Sequence, residues 1–246
     1  MMKKIFSFVV CSMVITTVSS GQTFKDLVNK AETQIKGKSS SGSSLSSTEI
    51  ASGLKQALQV GTQNASKALS QPNGYFGNSL IKIVMPPEAK KVETILRDAG
   101  LGKQVDDAIM SMNRAAEDAA TQAVPIFVTA IKNMTITDAL GILQGGQDAA
   151  TSYLKSKTTA SLITAFKPVI SKSLDKVDAT KYWHDVFTTY NEMPFVMHKV
   201  NPDLVGYVTE QALNGLFVTI AMEEAKIRTN PQARVTDLLK KVFAGH

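Results

Sequence analysis

The residue types that could do chemistry are concentrated in two segments with helical spacing. In the first, Asn113, Arg114 and Glu117 lie within an alanine-rich stretch. Small side chains on several faces of a helix predict that neighbouring helices surround it, which would place these polar groups inside a bundle. An amide, a guanidinium and a carboxylate held there could bind a polar ligand or transfer protons. A satisfied structural network explains the same residues and is the more common case.

The second segment contributes one carboxylate, Glu223. The apolar stripe of this long helix consists of Val205, Val208, Ala212, Leu216 and Ile220. Eighteen residues at about 100° each bring Glu223 onto the line of Val205, and a buried carboxylate needs a partner or a raised pKa. The candidate partners are Arg114, Lys226 and Arg228, and a helix that leaves the core at this turn is the alternative. The candidate ligand-binding residues are therefore Asn113, Arg114, Glu117 and Glu223.

Two further features are open to a functional or a structural interpretation. The loop at residues 143–148 places two glycines before a helix, where exposed amides could hold an anion, although a plain turn between helices explains it as well. Aromatic side chains fall on about one side of a later helix, as a ligand cradle or, more often, as core. They are Tyr182, Trp183, Phe187 and Tyr190.

The sequence lacks the short motifs of the common enzyme classes. It has no Gly-x-Ser-x-Gly nucleophile elbow, no P-loop, no dinucleotide-binding fingerprint after a strand and no His-Glu-x-x-His. We therefore predict no catalytic residues, no metal site and no cofactor, and a binding protein is favoured over an enzyme.

The first 21 residues have the pattern of a secretory signal peptide. Two lysines precede an apolar stretch over residues 5–18, and small side chains precede a cleavage site between Gly21 and Gln22. The stretch is shorter than the roughly 20 residues that span a bilayer, so a retained anchor is the weaker alternative. Cys11 lies inside this stretch and follows two valines, which argues against a lipid anchor. We expect an exported protein, located in the periplasm.

Cleavage at Gly21 would change both the cysteine content and the charge. It removes Cys11, the only cysteine, so the mature chain would have no disulfide and no thiolate metal site. It also removes Lys3 and Lys4, which lowers the formal net charge from +6 to +4. The remaining charges are interspersed, whereas a nucleic-acid-binding domain concentrates basic residues on one face. We expect no nucleic-acid partner.

The rest of the chain divides into three parts. Apolar residues at helical spacing predict an amphipathic helix at residues 22–37, and the Ser/Gly run at residues 38–44 predicts a flexible linker. Residues 45–246 form a single helical domain. Ser46 and Glu49 make a capping box for its first helix, which continues to about Ser70. Small residues every four positions would let another helix approach this one closely, and they are Gly53, Ala57, Gly61 and Ala65.

The predicted fold class is all-α, a compact multi-helix bundle. The further helices are expected at residues 88–98, 103–123, 125–132, 137–143, 148–156, 158–177, 179–191, 202–228 and 236–243. Two short apolar runs, residues 80–85 and 195–200, would either pair as a small two-stranded ribbon or form buried extended loops.

Several segments together resemble a known family. These are residues 45–65 (LSSTEIASGLKQALQVGTQNA), 113–127 (NRAAEDAATQAVPIF), 134–151 (MTITDALGILQGGQDAAT) and 212–243, which contains EEAKIR and VTDLLKKVF. They are similar to the bacterial family called domain of unknown function 4197, over nearly the whole chain after the linker. The resemblance implies a bacterial, exported helical protein. It implies no activity and no functional residues.

The leading hypothesis is an exported, non-enzymatic envelope protein. It would bind a small apolar ligand or an envelope protein within or against the helical bundle. One alternative is a hydrolase or transferase that uses buried carboxylates such as Glu117 and Glu223 as acid and base. Another is peripheral association with a membrane surface through residues 23–36.

Overall fold

The computed structural model describes residues 45–194, 196, 199–234 and 236–242. The predicted signal peptide, amphipathic helix and linker lie outside these residues. Within them the chain forms nine α-helices and two short 3-10 helices, Pro87–Ala89 and Pro231–Ala233. The α-helices are α1 (Ser47–Leu69), α2 (Lys90–Asp98), α3 (Gly102–Ala120), α4 (Ala123–Lys132), α5 (Ile136–Gln144), α6 (Ala149–Asp175), α7 (Ala179–Glu192), α8 (Leu204–Thr229) and α9 (Asp237–Val242).

The all-α fold class is confirmed, and most predicted boundaries lie within three residues of the observed ones. The prediction of separate helices at residues 148–156 and 158–177 is wrong, because α6 runs through both. Thr158 keeps the turn closed, since its hydroxyl donates to the Leu154 carbonyl at 2.7 Å. Pro168 lies inside α6 on the exposed face, where solvent can hydrate the carbonyl that the proline ring leaves without an N–H.

The predicted capping box of α1 is present. The Ser46 hydroxyl accepts from the Glu49 amide at 3.2 Å, and the Glu49 carboxylate accepts from the Ser46 amide at 2.8 Å. This exchange satisfies two backbone donors that the first turn leaves free and fixes where the helix begins.

The small-residue stripe of α1 serves the close approach that its spacing predicts. A Cβ atom on Gly53 would lie 2.8 Å from Val242 of α9, and one on Gly61 would lie 3.6 Å from the Cβ of Glu223 in α8. Two different helices therefore pack against one face of α1.

The centre of the bundle is an antiparallel pair, α6 and α8. The α6 amide of Ala150 contacts Glu224, and the Lys155 ammonium lies 5.9 Å from the Phe217 ring, so the two helices run in opposite directions. The α8 helix also packs on α1 and α3. The fully buried side chains of α6 are Leu154, Leu162, Phe166, Ile170 and Leu174.

The ribbon alternative is not observed in the part of the chain that the structure describes. Residues 80–85 contain no strand, and residues 196, 199 and 200 of the second run contain none either. A side chain replaces the missing strand partner: Asn113 accepts from the Ile83 amide at 2.9 Å and donates to the Ile83 carbonyl at 2.7 Å. Residues 82–85 of the first run are therefore a loop segment held against α3, in which Ile83 and Met85 are buried but Val84 is 41% exposed.

None of the described helices alone is long and apolar enough to cross a membrane. The pair α4 and α5 meets the length and composition test when taken together, but the chain bends by 106° between them.

Candidate functional site

Asn113 is fully buried and bonds entirely to backbone. Besides both groups of Ile83, its amide nitrogen donates to the Ile109 carbonyl at 2.7 Å. Both N–H bonds and the carbonyl oxygen of the side chain are therefore used. The residue fixes the extended loop and has no donor left for a ligand.

Arg114 and Glu117 hold the turn that precedes this loop. One Glu117 oxygen accepts from the amides of Tyr75 and Phe76 at 3.1 and 3.2 Å, and the other accepts from Arg114 at 2.6 Å. Arg114 also donates to the Asn73 side chain at 2.9 Å. Glu117 is 4% exposed, so this network closes it off from solvent.

The network positions Tyr75, the largest fully buried side chain of the turn. Its hydroxyl donates to the Ala212 carbonyl at 2.8 Å, and its ring packs on Gly215, where a Cβ atom would lie only 2.7 Å from the ring. Burial, with a smaller contribution from the negative charge of Glu117, raises the pKa of Tyr75 far above its ordinary value. The phenol is therefore a neutral anchor between the turn and α8.

Glu223 belongs to a different network. Its side chain is 15% exposed, accepts from the Asn64 amide of α1 at 3.2 Å and pairs with Lys226, one of its predicted partners. Ala212, which meets Tyr75, is eleven residues earlier in α8, or about 16 Å along the axis. The structure therefore brings Asn113, Arg114 and Glu117 together but leaves Glu223 elsewhere.

The buried carboxylate of α8 is the next residue, Glu224. Its oxygens accept from the amides of Ala150 and Thr151 at 3.1 and 2.8 Å and from the Thr151 hydroxyl at 2.8 Å. Arg228 pairs with it at 2.9 Å and donates to the Ile142 carbonyl at 3.1 Å. This cluster, the Glu224–Arg228 clasp, joins α8 to the end of α5 and the start of α6.

The clasp also shows what the amides that follow the glycines at residues 143–148 bind. The first amides of α6 do bind an anion, but it is the chain's own carboxylate. The one feature of the sequence that indicates the clasp is the i,i+4 spacing of Glu224 and Arg228 on a helix.

The space between α1 and α8 is small. A cavity of about 20 Å³ lies between α1 and α8, lined in part by Leu58, Ile220 and Glu224. That volume is close to what a single water molecule needs. This cavity is therefore too small for a ligand of ordinary size.

A concave surface of about 740 Å³, here called the polar groove, runs between α6 and α8. Lys155, Ile163 and Lys167 lie along its α6 wall, and Glu210 and Asn214 along its α8 wall. Pro86, Pro87, Glu88, Lys199 and Asn201 also line it, together with the aromatic side chains Trp183, Tyr207 and Phe217. The volume is typical of small-molecule sites.

The polar groove carries charges of both signs. Its three lysines form no ion pair with any residue that the structure describes. Tyr207 donates to the Val84 carbonyl at 2.7 Å, and partial burial, followed by the charges of Glu88 and Glu210, raises its pKa to about 12. Both carboxylates therefore act on the same phenol.

The aromatic stripe of α7 is mainly core and partly groove. Trp183 and Phe187 are buried, with ring centroids 4.4 Å apart, whereas Tyr182 is 62% exposed. The Trp183 ring also lies nearly parallel to that of Tyr207 at 6.3 Å. Trp183 thus links the core to the polar groove.

A second concave surface, here called the apolar groove, lies between α2 and α7 and measures about 1080 Å³. Its lining includes Ile95, Val186 and Met193, which are 54%, 39% and 52% exposed. It shares Pro87 and Glu88 with the polar groove, so the two surfaces adjoin.

Comparison with known proteins identifies the family. A family described as protein of unknown function DUF4197 matches residues 44–244. The chain belongs to the DUF4197 family. The resemblance found in the sequence is therefore confirmed for the helical domain. No match was found among curated proteins or among solved structures.

The family supplies no functional residues, so the site of this DUF4197 protein must be argued from geometry. Among the residues that the structure describes, no group of three or more His, Cys, Asp and Glu side chains is arranged to hold a metal ion. The buried residues Asn113, Glu117 and Glu224 are occupied by structural contacts. Two concave surfaces that could hold a ligand are the polar and apolar grooves.

Proposed function

We propose that this DUF4197 protein is an exported, non-enzymatic binding protein of the bacterial envelope, and that its ligand binds against the bundle in the polar groove. The observation that carries the proposal is a groove of about 740 Å³ whose three exposed lysines, Lys155, Lys167 and Lys199, form no ion pair with the described residues. Groups without internal partners are available to a ligand, whereas buried groups with full partners are not.

The chain's buried carboxylates give no support to an acid–base mechanism. Glu117 and Glu224 each accept from two backbone amides and pair with an arginine. Glu223 lies in a separate network, so it does not share a site with Glu117. A general acid or base must reach the proton of a bound substrate, and neither Glu117 nor Glu224 is exposed enough to do so.

Export rests on the sequence of residues 1–21 and stays part of the proposal. We also propose that residues 23–36 give the mature protein a peripheral contact with membranes. Liposome flotation of the mature protein, with and without that segment, tests this contact. Flotation that does not change on deletion of the segment contradicts it.

Native mass spectrometry tests the binding function. The mature protein would be purified gently from its own envelope fraction, together with two variants. Asn214→Phe fills the polar groove, and Val218→Phe places the same ring on an exposed α8 position outside it. We expect a bound species on the wild type and on Val218→Phe, and its loss from Asn214→Phe. A wild type without ligand, or equal retention by both variants, overturns the proposal.

A further inference from the structure

The polar groove has a positive wall and a negative wall. Lys155 lies opposite Phe217, and the helices are antiparallel, so Glu210, seven residues before Phe217, lies near the level of Ile163. That level is between Lys155 and Lys167, which are about 18 Å apart along α6. A ligand in this groove therefore meets cations on one side and a carboxylate on the other.

The negative wall has the composition of an ammonium site. Glu88, Glu210 and Tyr207 line the same groove, and the Trp183 ring lies nearly parallel to that of Tyr207 with centroids 6.3 Å apart. Carboxylates beside the face of an aromatic ring attract ammonium groups, including quaternary ones. Free phosphate or a carboxylate ligand would be repelled from this end of the groove.

The positive wall has the composition of a phosphate site. Lys167 and Lys199 both line the groove, and neither is engaged in an ion pair with the described chain. Lysine binds phosphate as a point charge, and the side-chain amide of Asn201 is a further polar group nearby. Ammonium and phosphate groups on one ligand would satisfy both walls.

The apolar groove extends this site past Pro87 and Glu88. Its exposed side chains Ile95, Val186 and Met193 form a lipophilic surface, and Met193 can adapt to an irregular chain. An alkyl chain attached to the ligand would remove this surface from water.

We propose that the two adjoining grooves bind one zwitterionic phospholipid molecule. Its phosphate lies between Lys167 and Lys199, its ammonium group lies at Tyr207 and the two carboxylates, and an acyl chain lies along the apolar groove. This inference rests on the proposed binding function and names the ligand class.

Trp183 makes the test direct, because it is the only tryptophan of the protein and borders the polar groove. Its fluorescence would be followed while the mature protein is titrated with dihexanoylphosphatidylcholine below the micelle concentration. Three further ligands separate the parts of the lipid. Glycerophosphocholine lacks the chains, dihexanoylphosphatidylglycerol lacks the ammonium group, and hexyltrimethylammonium lacks the phosphate. We expect saturable binding that is strongest for the phosphatidylcholine.

Charge variants should change the affinities for different ligands in opposite directions, which a folding defect would not do. Lys167→Gln with Lys199→Gln should weaken both phospholipids by about tenfold. Glu210→Gln should weaken phosphatidylcholine and hexyltrimethylammonium but strengthen phosphatidylglycerol, because a repelling charge is removed. Lys172→Gln, on an exposed α6 position outside both grooves, is the matched control and should change none of these affinities.

Two outcomes overturn the inference, and they differ in what they say about the proposed function. If all three chain-bearing ligands bind equally and only Asn214→Phe weakens them, the groove binds ligands but the zwitterionic class is wrong. If phosphatidylcholine causes no saturable change, the lipid assignment is wrong, and the species carried from the envelope by the native protein decides the proposed function separately.

Discussion

Replacement of Glu224 by alanine should destabilise the protein more than any other single carboxylate substitution in α8. The substitution leaves the amides of Ala150 and Thr151 without an acceptor and the half-buried Arg228 without its counter-charge. Removal of one partner from a buried ion pair costs about 3–5 kcal/mol. That is a large part of the 5–15 kcal/mol or so by which a domain is stable.

Urea unfolding followed by circular dichroism measures this loss. With a slope of about 2 kcal/mol per molar urea, a loss of about 4 kcal/mol lowers the midpoint by about 2 M. Glu223→Ala is the matched control, because the neighbouring carboxylate is partly exposed and bonds to side chains. It should cost less than about 1 kcal/mol. Equal midpoint shifts for the two variants would refute the assignment of Glu224 as the structural carboxylate.

Two other predictions concern Tyr75 and the α8 glycine beneath it. Gly215→Ala should cost about 1–3 kcal/mol, because its methyl group would lie 2.7 Å from the buried Tyr75 ring. Gly61→Ala, whose methyl group meets ordinary contacts at 3.6 Å, should be neutral or stabilise by up to about 1 kcal/mol, and thermal unfolding that ranks the two alike would contradict this. The raised pKa of Tyr75 means that above pH 10 or so the unfolded phenol ionises while the folded one does not, so stability falls as pH rises. Urea midpoints between pH 8 and 11 should fall more steeply for the wild type than for Tyr75→Phe, and parallel curves would show that the phenol is not responsible.

Local features of the fold could be predicted from the sequence because their causes are local. The capping box of α1 depends on Ser46 and Glu49, three residues apart, and its helix begins where the pair predicts. The small-residue stripe on the same helix predicts close packing without naming the neighbour. The predicted break near residue 157 of α6 is wrong because Thr158 and Thr159, which are weak helix formers, stay in the helix and donate their hydroxyls to the Leu154 and Lys155 carbonyls.

The candidate site was harder to predict because it depends on distant parts of the chain. The apolar stripe that starts at Val205 leads to Glu223. Val205 is only half-buried, however, and the buried carboxylate is the next residue, Glu224. Asn113 was correctly expected inside the bundle, but its partner Ile83 is thirty residues away and gives no local signal. The polar groove combines α6, α7, α8 and a proline-containing loop, and its lysines have the spacing of any solvated helix face.

The Glu224–Arg228 clasp has a consequence for how the chain folds as it emerges from a ribosome or a translocation channel. Its contacts join residues separated by 73 to 86 positions. The helix α6 therefore leaves the ribosome or channel long before Glu224, whose carboxylate its first turn binds. Until residue 224 is released, the first turn of α6 lacks its acceptor and the apolar face of α6 lacks its antiparallel cover. Late, long-range contacts of this kind delay compaction. A chain cut short before α8 should therefore stay unfolded and open to proteases.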